Sequence, residues 1–181
     1  MKLNKFQKEL PEFILELADK YKLTLPNNDR DQNKDFWKCH GKWIVKHDGC
    51  EIIAKKERIF FKLPKQNMDL SPSISLLIEG YMTNEKGDVI KEEWSFGEAC
   101  ARNTKMPYWW AMAEKRGKDR VILKLINAYE KGLYSEVEAD EWNELAKQST
   151  EAVKPKQKKP PIKQKDLVYD ESGKVVDDFE L

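Results

Sequence analysis

The chain has 181 residues, about one domain's worth of material, with 33 Lys and Arg against 32 Asp and Glu for a formal net charge of +1. Charged residues make up 36% and the hydrophobic set 40%. No window approaches the roughly 18–20 consecutive apolar residues of a membrane helix. Residues Met1 to Leu25 mix Lys and Glu throughout, unlike a signal peptide, so the composition argues against both an integral membrane protein and a secreted one. Taken as a total, the balanced charge also argues against a nucleic-acid partner, but only if the charges are evenly spread.

Leu3 to Tyr21 reads as an amphipathic helix, with Phe6, Leu10, Phe13 and Leu17 recurring at helical spacing. Pro11 falls inside the pattern, so the helix either spans it or begins there. Pro26-Asn27-Asn28-Asp29 breaks the chain. Lys42 to Ile59 reads as a second helix despite Gly49, which costs up to about 1 kcal/mol in a helix interior. Arg58 to Leu63 reads as a short strand ended by Pro64.

Ser73 to Thr83 and Val89 to Phe96 alternate as strands around a turn-rich Asn84 to Asp88, predicting an antiparallel hairpin. A third helix runs from Pro107 to about Glu130, with Ala111, Ile122, Leu125, Ile126 and Tyr129 as its apolar stripe and Gly132 as its stop. A short acidic helix follows, from Ser135 to about Lys147. Ser135 is its cap, and Glu138 stands at capping-box spacing. From about Thr150 the composition changes. Lys154 to Lys165 holds six Lys and three Pro, and Asp166 to Leu181 holds six acids and one Lys, a disordered tail by composition. The expected organisation is a helical N-terminal segment (1–30), an α+β core (31–149) and the tail (150–181).

The even charge balance comes apart along the chain. Asp35 to Lys65 carries eight Lys/Arg against four acids, and Lys105 to Lys131 seven against three, so each window is +4. Gly132 to Glu151 holds one Lys against six acids, or −5. Phosphate binding depends on such local clusters and not on the sum. In the third helix Arg116, Arg120 and Lys124 stand one above another at i, i+4 and i+8, with Trp109 and Met112 at the N-terminal end. If the helix packs through Ile122, Leu125 and Ile126, this strip faces outward. It is then either a solvated face or a phosphate-binding edge topped by an indole that stacks on an unpaired base.

The first basic block adds Lys38, Lys42, Lys46, Lys55, Lys56, Arg58 and Lys62, interleaved with Phe36, Trp37, Trp43, Phe60 and Phe61. Trp43 is expected in the core, and so is Trp94, on the hairpin face with Ile90 and Phe96. Tyr108-Trp109-Trp110 cannot all face one core, because adjacent helical residues point about 100° apart, so at least one is expected at the surface.

Cys39, His40, His47 and Cys50 cluster at a spacing that matches no common zinc pattern, and three reduced thiols are the simpler reading. No phosphate-binding GxxxxGK[ST] or GxGxxG is present. Asp69, Glu79, Asp88, Glu92, Glu93 and Glu98 could supply a nuclease-like metal site, but without a recognisable carboxylate-plus-Lys pattern. The expectation is therefore a protein that is not an enzyme and has no cofactor or metal, with a metal-dependent nuclease as a distant alternative.

Several strings together resemble one family. Trp43-Ile44-Val45-Lys46-His47-Asp48-Gly49-Cys50-Glu51-Ile52-Ile53 looks like the helix that opens the core of single-strand annealing proteins, the Rad fifty-two-like annealases and their phage relatives of the Sak and Erf kinds. The hairpin from Ser73 to Phe96 is similar to their central strands. Trp94-Ser95-Phe96-Gly97-Glu98-Ala99 resembles the turn before their long helix, and Ala113 to Lys124 resembles that helix. The resemblance covers about residues 36–132.

The resemblance implies an antiparallel β-β-β sheet packed by a long α-helix, and subunits assembled as a homo-oligomeric ring or filament. It also implies single-stranded DNA held in a basic groove and annealing without ATP or metal, in phage-type recombination in the bacterial cytoplasm. By this resemblance Arg120 matches the Arg of the family's Lys-Arg pair, Asp119 takes the Lys position, and Lys115, Arg116 or Lys118 would compensate. Asp48 stands where the family's first helix often has a DNA-contacting Arg, with Lys46 nearest. The expected DNA-binding residues are Arg116, Arg120, Lys124 and Trp109, with Lys115 and Lys118, then Lys46, Lys55, Lys56 and Arg58. A second reading is a recombination or replication accessory that recruits a single-strand-binding or other replication protein through Asp177, Asp178, Phe179 and Leu181.

Overall fold

The computed structural model describes residues 3–146 apart from 71, 72, 102, 105, 106, 141, 144 and 145, and the backbone alone of 66–70. These all belong to one unit, Met1–Lys147. The expected tail, with Asp177, Asp178, Phe179 and Leu181, lies outside the described residues.

The N-terminal pattern resolves into two helices, α1 (Lys5–Lys8) and α2 (Glu12–Tyr21), with Pro11 as the N-cap of α2. Proline lacks an N–H and sets φ, so it starts a helix and cannot continue one. Ile14, Leu17, Ala18 and Tyr21 of α2 are buried in the same core as residues of the later helices and strands.

The predicted helix from Lys42 is half wrong. β1 (Phe36–Cys39) and β2 (Lys42–Val45) form a hairpin whose two turn residues, His40 and Gly41, have φ of 48° and 79°. Positive φ at both positions matches the twist of a two-residue hairpin. Helix α3 (His47–Lys56) starts only after it. Trp43, Ile44 and Val45 are all buried because β2 is covered on both faces. Trp43 and Val45 join the main core, while Ile44 packs with Cys39 and Ala139.

The α+β core is an antiparallel sheet packed by a long helix. β3 (Ile59–Phe61) and β4 (Lys65–Leu70) share one side of β5 (Ser73–Thr83), and β6 (Val89–Cys100) lies on the other. β4 was missed by the sequence reading, and β6 runs four residues beyond the predicted Phe96. Helix α4 (Trp109–Leu125) lies across the face formed by Ile74, Leu76 and Ile78 of β5 and Ser95, Gly97 and Ala99 of β6. The contact is closest at two glycines. A Cβ on Gly97 would stand 1.8 Å from the Ala113 carbonyl oxygen, and one on Gly117 would stand 2.3 Å from Ile78 Cγ1. Helix and strand backbones therefore touch where both side chains are missing.

The end of α4 also differs from the expectation. A 3-10 turn (Tyr129–Lys131) and Gly132 at φ 77° lead into β7 (Leu133–Ser135), which pairs parallel with β2. Ser135 then caps a helical stretch at 136–140, with its backbone N–H donating to Glu138 Oε2 at 2.9 Å as the capping-box spacing predicts. Among the described residues no helix is long and apolar enough to cross a membrane.

Candidate nucleic-acid interface

The predicted cationic strip of α4 does not face solvent. Arg116 is 3% exposed. It donates through Nη1 to Glu98 O (2.7 Å) and through Nη2 to Asn103 O (2.5 Å). Arg120 Nη1 donates to Phe96 O at 3.0 Å, and its Nε pairs with Glu138 at 3.2 Å. Lys124 Nζ donates to Trp94 O at 2.7 Å and stands over the Trp94 ring.

This is a geometric ladder. Four residues of α-helix rise about 6 Å, and two residues of strand advance about 6.7 Å. Cations at i, i+4 and i+8 therefore meet alternate carbonyls of an edge strand. Lys91 of β6 completes the arrangement by donating to Lys124 O (2.8 Å) and Leu125 O (3.0 Å), closing the C-terminus of α4. The expectation that the apolar stripe lies opposite this strip is corrected accordingly. Ala111, placed in the stripe, is exposed, while Val121 and Leu123 are buried beside Ile122 and Leu125. A helix held between a sheet and β7 is buried on more than one side.

The remaining cations divide by position. Lys115 Nζ lies 3.8 Å from Glu136 Oε2, and the same carboxylate oxygen accepts from the backbone N–H of His47 at 3.1 Å. This brings the N-terminus of α3, with Lys46 as its N-cap, beside Lys115. Lys118 pairs with Glu114 at 2.6 Å and lies over the Phe61 ring. Lys55 is exposed on α3. Lys56 Nζ donates to Tyr21 O at 2.8 Å, tying α3 to α2. Arg58, at φ 52°, is 3.6 Å from Glu85.

Of the aromatic triplet, Tyr108 and Trp110 are exposed at 49% and 46%, while Trp109 packs against the core. Adjacent positions diverge as the 100° step requires. Trp110, Glu114 and Lys118 share one face of α4 at i, i+4 and i+8, with Lys115 beside them. Trp43 is in the core as expected, but Trp94 is not, being 55% exposed on the sheet face away from α4. Its alternation with Ile90 and Phe96 was read correctly and assigned to the wrong side.

The Cys/His cluster is split. Cys39 and His40 lie beside Asn143, with His40 Nε2 3.1 Å from its Oδ1. Cys50 is fully buried, and burial pushes its thiol well above the ordinary range. His47 Nδ1 is 2.7 Å from Oδ1 of the fully buried Asp119, and that hydrogen bond raises the imidazole above its usual value against the opposing effect of burial. Asp119 thus joins α4 to α3, a role sequence reasoning missed. The three-residue spacing of His47 and Cys50 gave no hint of a partner 72 residues away. Among the described residues no group of three or more His, Cys, Asp or Glu could hold a metal ion.

Comparison with known proteins finds no family model, curated protein or solved structure that matches this chain.

Proposed function

We propose that this protein binds single-stranded DNA and anneals complementary strands without ATP, as an assembly of copies acting in phage-type recombination in the bacterial cytoplasm. The observation that carries the reading is the outward face of α4. Exposed Tyr108 and Trp110 lead into Lys115 and Lys118, with Lys46 at the N-cap of α3 on the Lys115 side and Lys55 exposed near the other end of α3. Aromatic faces stack on unpaired bases of any sequence, and flanking ammonium groups hold the phosphates. In this reading Lys115, Lys118, Lys46 and Lys55 contact the strand, while Arg116, Arg120 and Lys124 shape the site by fixing α4 on β6. The element order, with a helix, an antiparallel sheet and a long helix across it, is also the order that the resemblance to annealing proteins implies.

The test is a strand-annealing assay with complementary labelled oligonucleotides and no nucleotide cofactor. The reading expects annealing above the spontaneous rate and preference for single strands over duplex. Unchanged annealing and equal affinity for duplex would reject it.

A further inference from the structure

The sheet has a second face that the proposed site does not use. Phe60 and Tyr81 lie 5.7 Å apart there, and Trp94 and Phe96 pair edge-to-face at 5.6 Å. Phe60, Ile90 and Trp94 are 50%, 59% and 55% exposed. Large half-exposed aromatics gathered on one face mark an interaction surface.

The charges on this face are sorted by strand. Lys62 and Lys65 lie along the β3/β4 side, with Lys62 3.4 Å from Glu92 and Lys65 2.7 Å from Glu79. Glu92 and Glu98 lie along β6, with Glu79 between the two sides on β5. Among the described residues Glu79, Glu92 and Glu98 stand against Lys62 and Lys65, with Lys124 at the β6 edge over the Trp94 ring, a mixed arrangement that suits a protein surface of the same pattern better than a phosphate backbone.

The β6 edge of the sheet is occupied, and the opposite edge is broken into two short strands. On β6 the carbonyls of Trp94, Phe96 and Glu98 already accept from Lys124, Arg120 and Arg116. The opposite edge is interrupted between β3 and β4, at Leu63-Pro64. The face, with its exposed aromatic side chains, is the larger surface offered to a partner.

We propose that this face packs on the same face of a second copy of the chain, about a two-fold axis parallel to the strands. That operation places β6 of one copy over β3/β4 of the other. By the strand register, Lys62 and Lys65 of one copy then stand over the stretch from Glu92 to Glu98 of its partner, beside the Trp94 and Phe96 rings. The contact is isologous, so each attraction occurs twice. The inference rests on the sheet and not on the nucleic-acid reading.

The experiment is sedimentation velocity of the full chain over a range of concentrations, without oligonucleotide. The expected result is a mass above one chain that falls to one chain in Trp94→Lys and in the double variant Lys62→Glu/Lys65→Glu. Adding Glu92→Lys and Glu98→Lys to that double variant should restore it. Circular dichroism melting of each variant separates lost association from lost folding. Wild type at the mass of one chain, or an assembly that folded variants leave unchanged, overturns the proposal. So does a folded Trp94→Lys that keeps its mass and loses only oligonucleotide binding, since that result assigns the face to nucleic acid.

Discussion

Replacing Arg116 with methionine tests whether the cations of α4 hold the fold. Methionine keeps the length and the apolar stem of the side chain and removes every donor. The carbonyls of Glu98 and Asn103, which accept from Arg116 at 2.7 and 2.5 Å, both lose that bond. The side chain is 3% exposed, so water has poor access to replace the donors. A buried group left unsatisfied costs about 1–3 kcal/mol, so these two part-buried carbonyls together lose at most about 2–6 kcal/mol. Against a typical total stability of about 5–15 kcal/mol this is a large fraction. Urea denaturation should show the midpoint falling with the slope unchanged. Lys118→Met is the control: its partner Glu114 is on the surface, and such changes stay within about 0.5 kcal/mol. A loss below about 1 kcal/mol for Arg116→Met would refute the ladder as a stabilising device.

Three further outcomes follow from the same structure. Gly97→Ala forces a methyl group against the Ala113 carbonyl, so α4 must lift from β6; denaturation should show a loss of about 3 kcal/mol or more. The His47–Asp119 contact raises the imidazole above its unfolded value of about 6.5, so the folded state holds more protons above that pH. Its stabilisation is fully present below about pH 6.5 and is lost as pH rises through the folded value, and denaturation at several pH values should show this slope flattened in His47→Gln. Lys115→Gln/Lys118→Gln should lower the slope of log affinity against log salt for a single strand by about 1.4, at about 0.7 per phosphate contact, while leaving the melting temperature nearly unchanged.

The hairpin of β5 and β6 and the Ser135 cap were legible in the sequence because each is local, and Pro11 marked one of the two starts left open for the N-terminal helix for the same reason. Alternation, a missing N–H and a three-residue capping spacing need no knowledge of the rest of the chain. β2 was misread because a strand buried on both faces loses its alternation, and Trp43-Ile44-Val45 then looks like part of a helix. β7 is three residues long and exists only by pairing with β2, some ninety residues earlier. The positions of Arg116, Arg120 and Lys124 at one helix face were read correctly. Their direction was not, because it depends on the second surface, β6, against which α4 is laid. The same limit moved Trp94 from core to surface: periodicity tells which residues share a face and is silent on which face is covered.

The central claim is that this fold binds single strands through ammonium groups and exposed aromatics. Fluorescence anisotropy of a labelled single-stranded oligonucleotide at about 50 mM and about 200 mM salt tests it most directly. The account predicts saturable binding at the lower salt that weakens steeply at the higher. No detectable binding at the lower salt would contradict it.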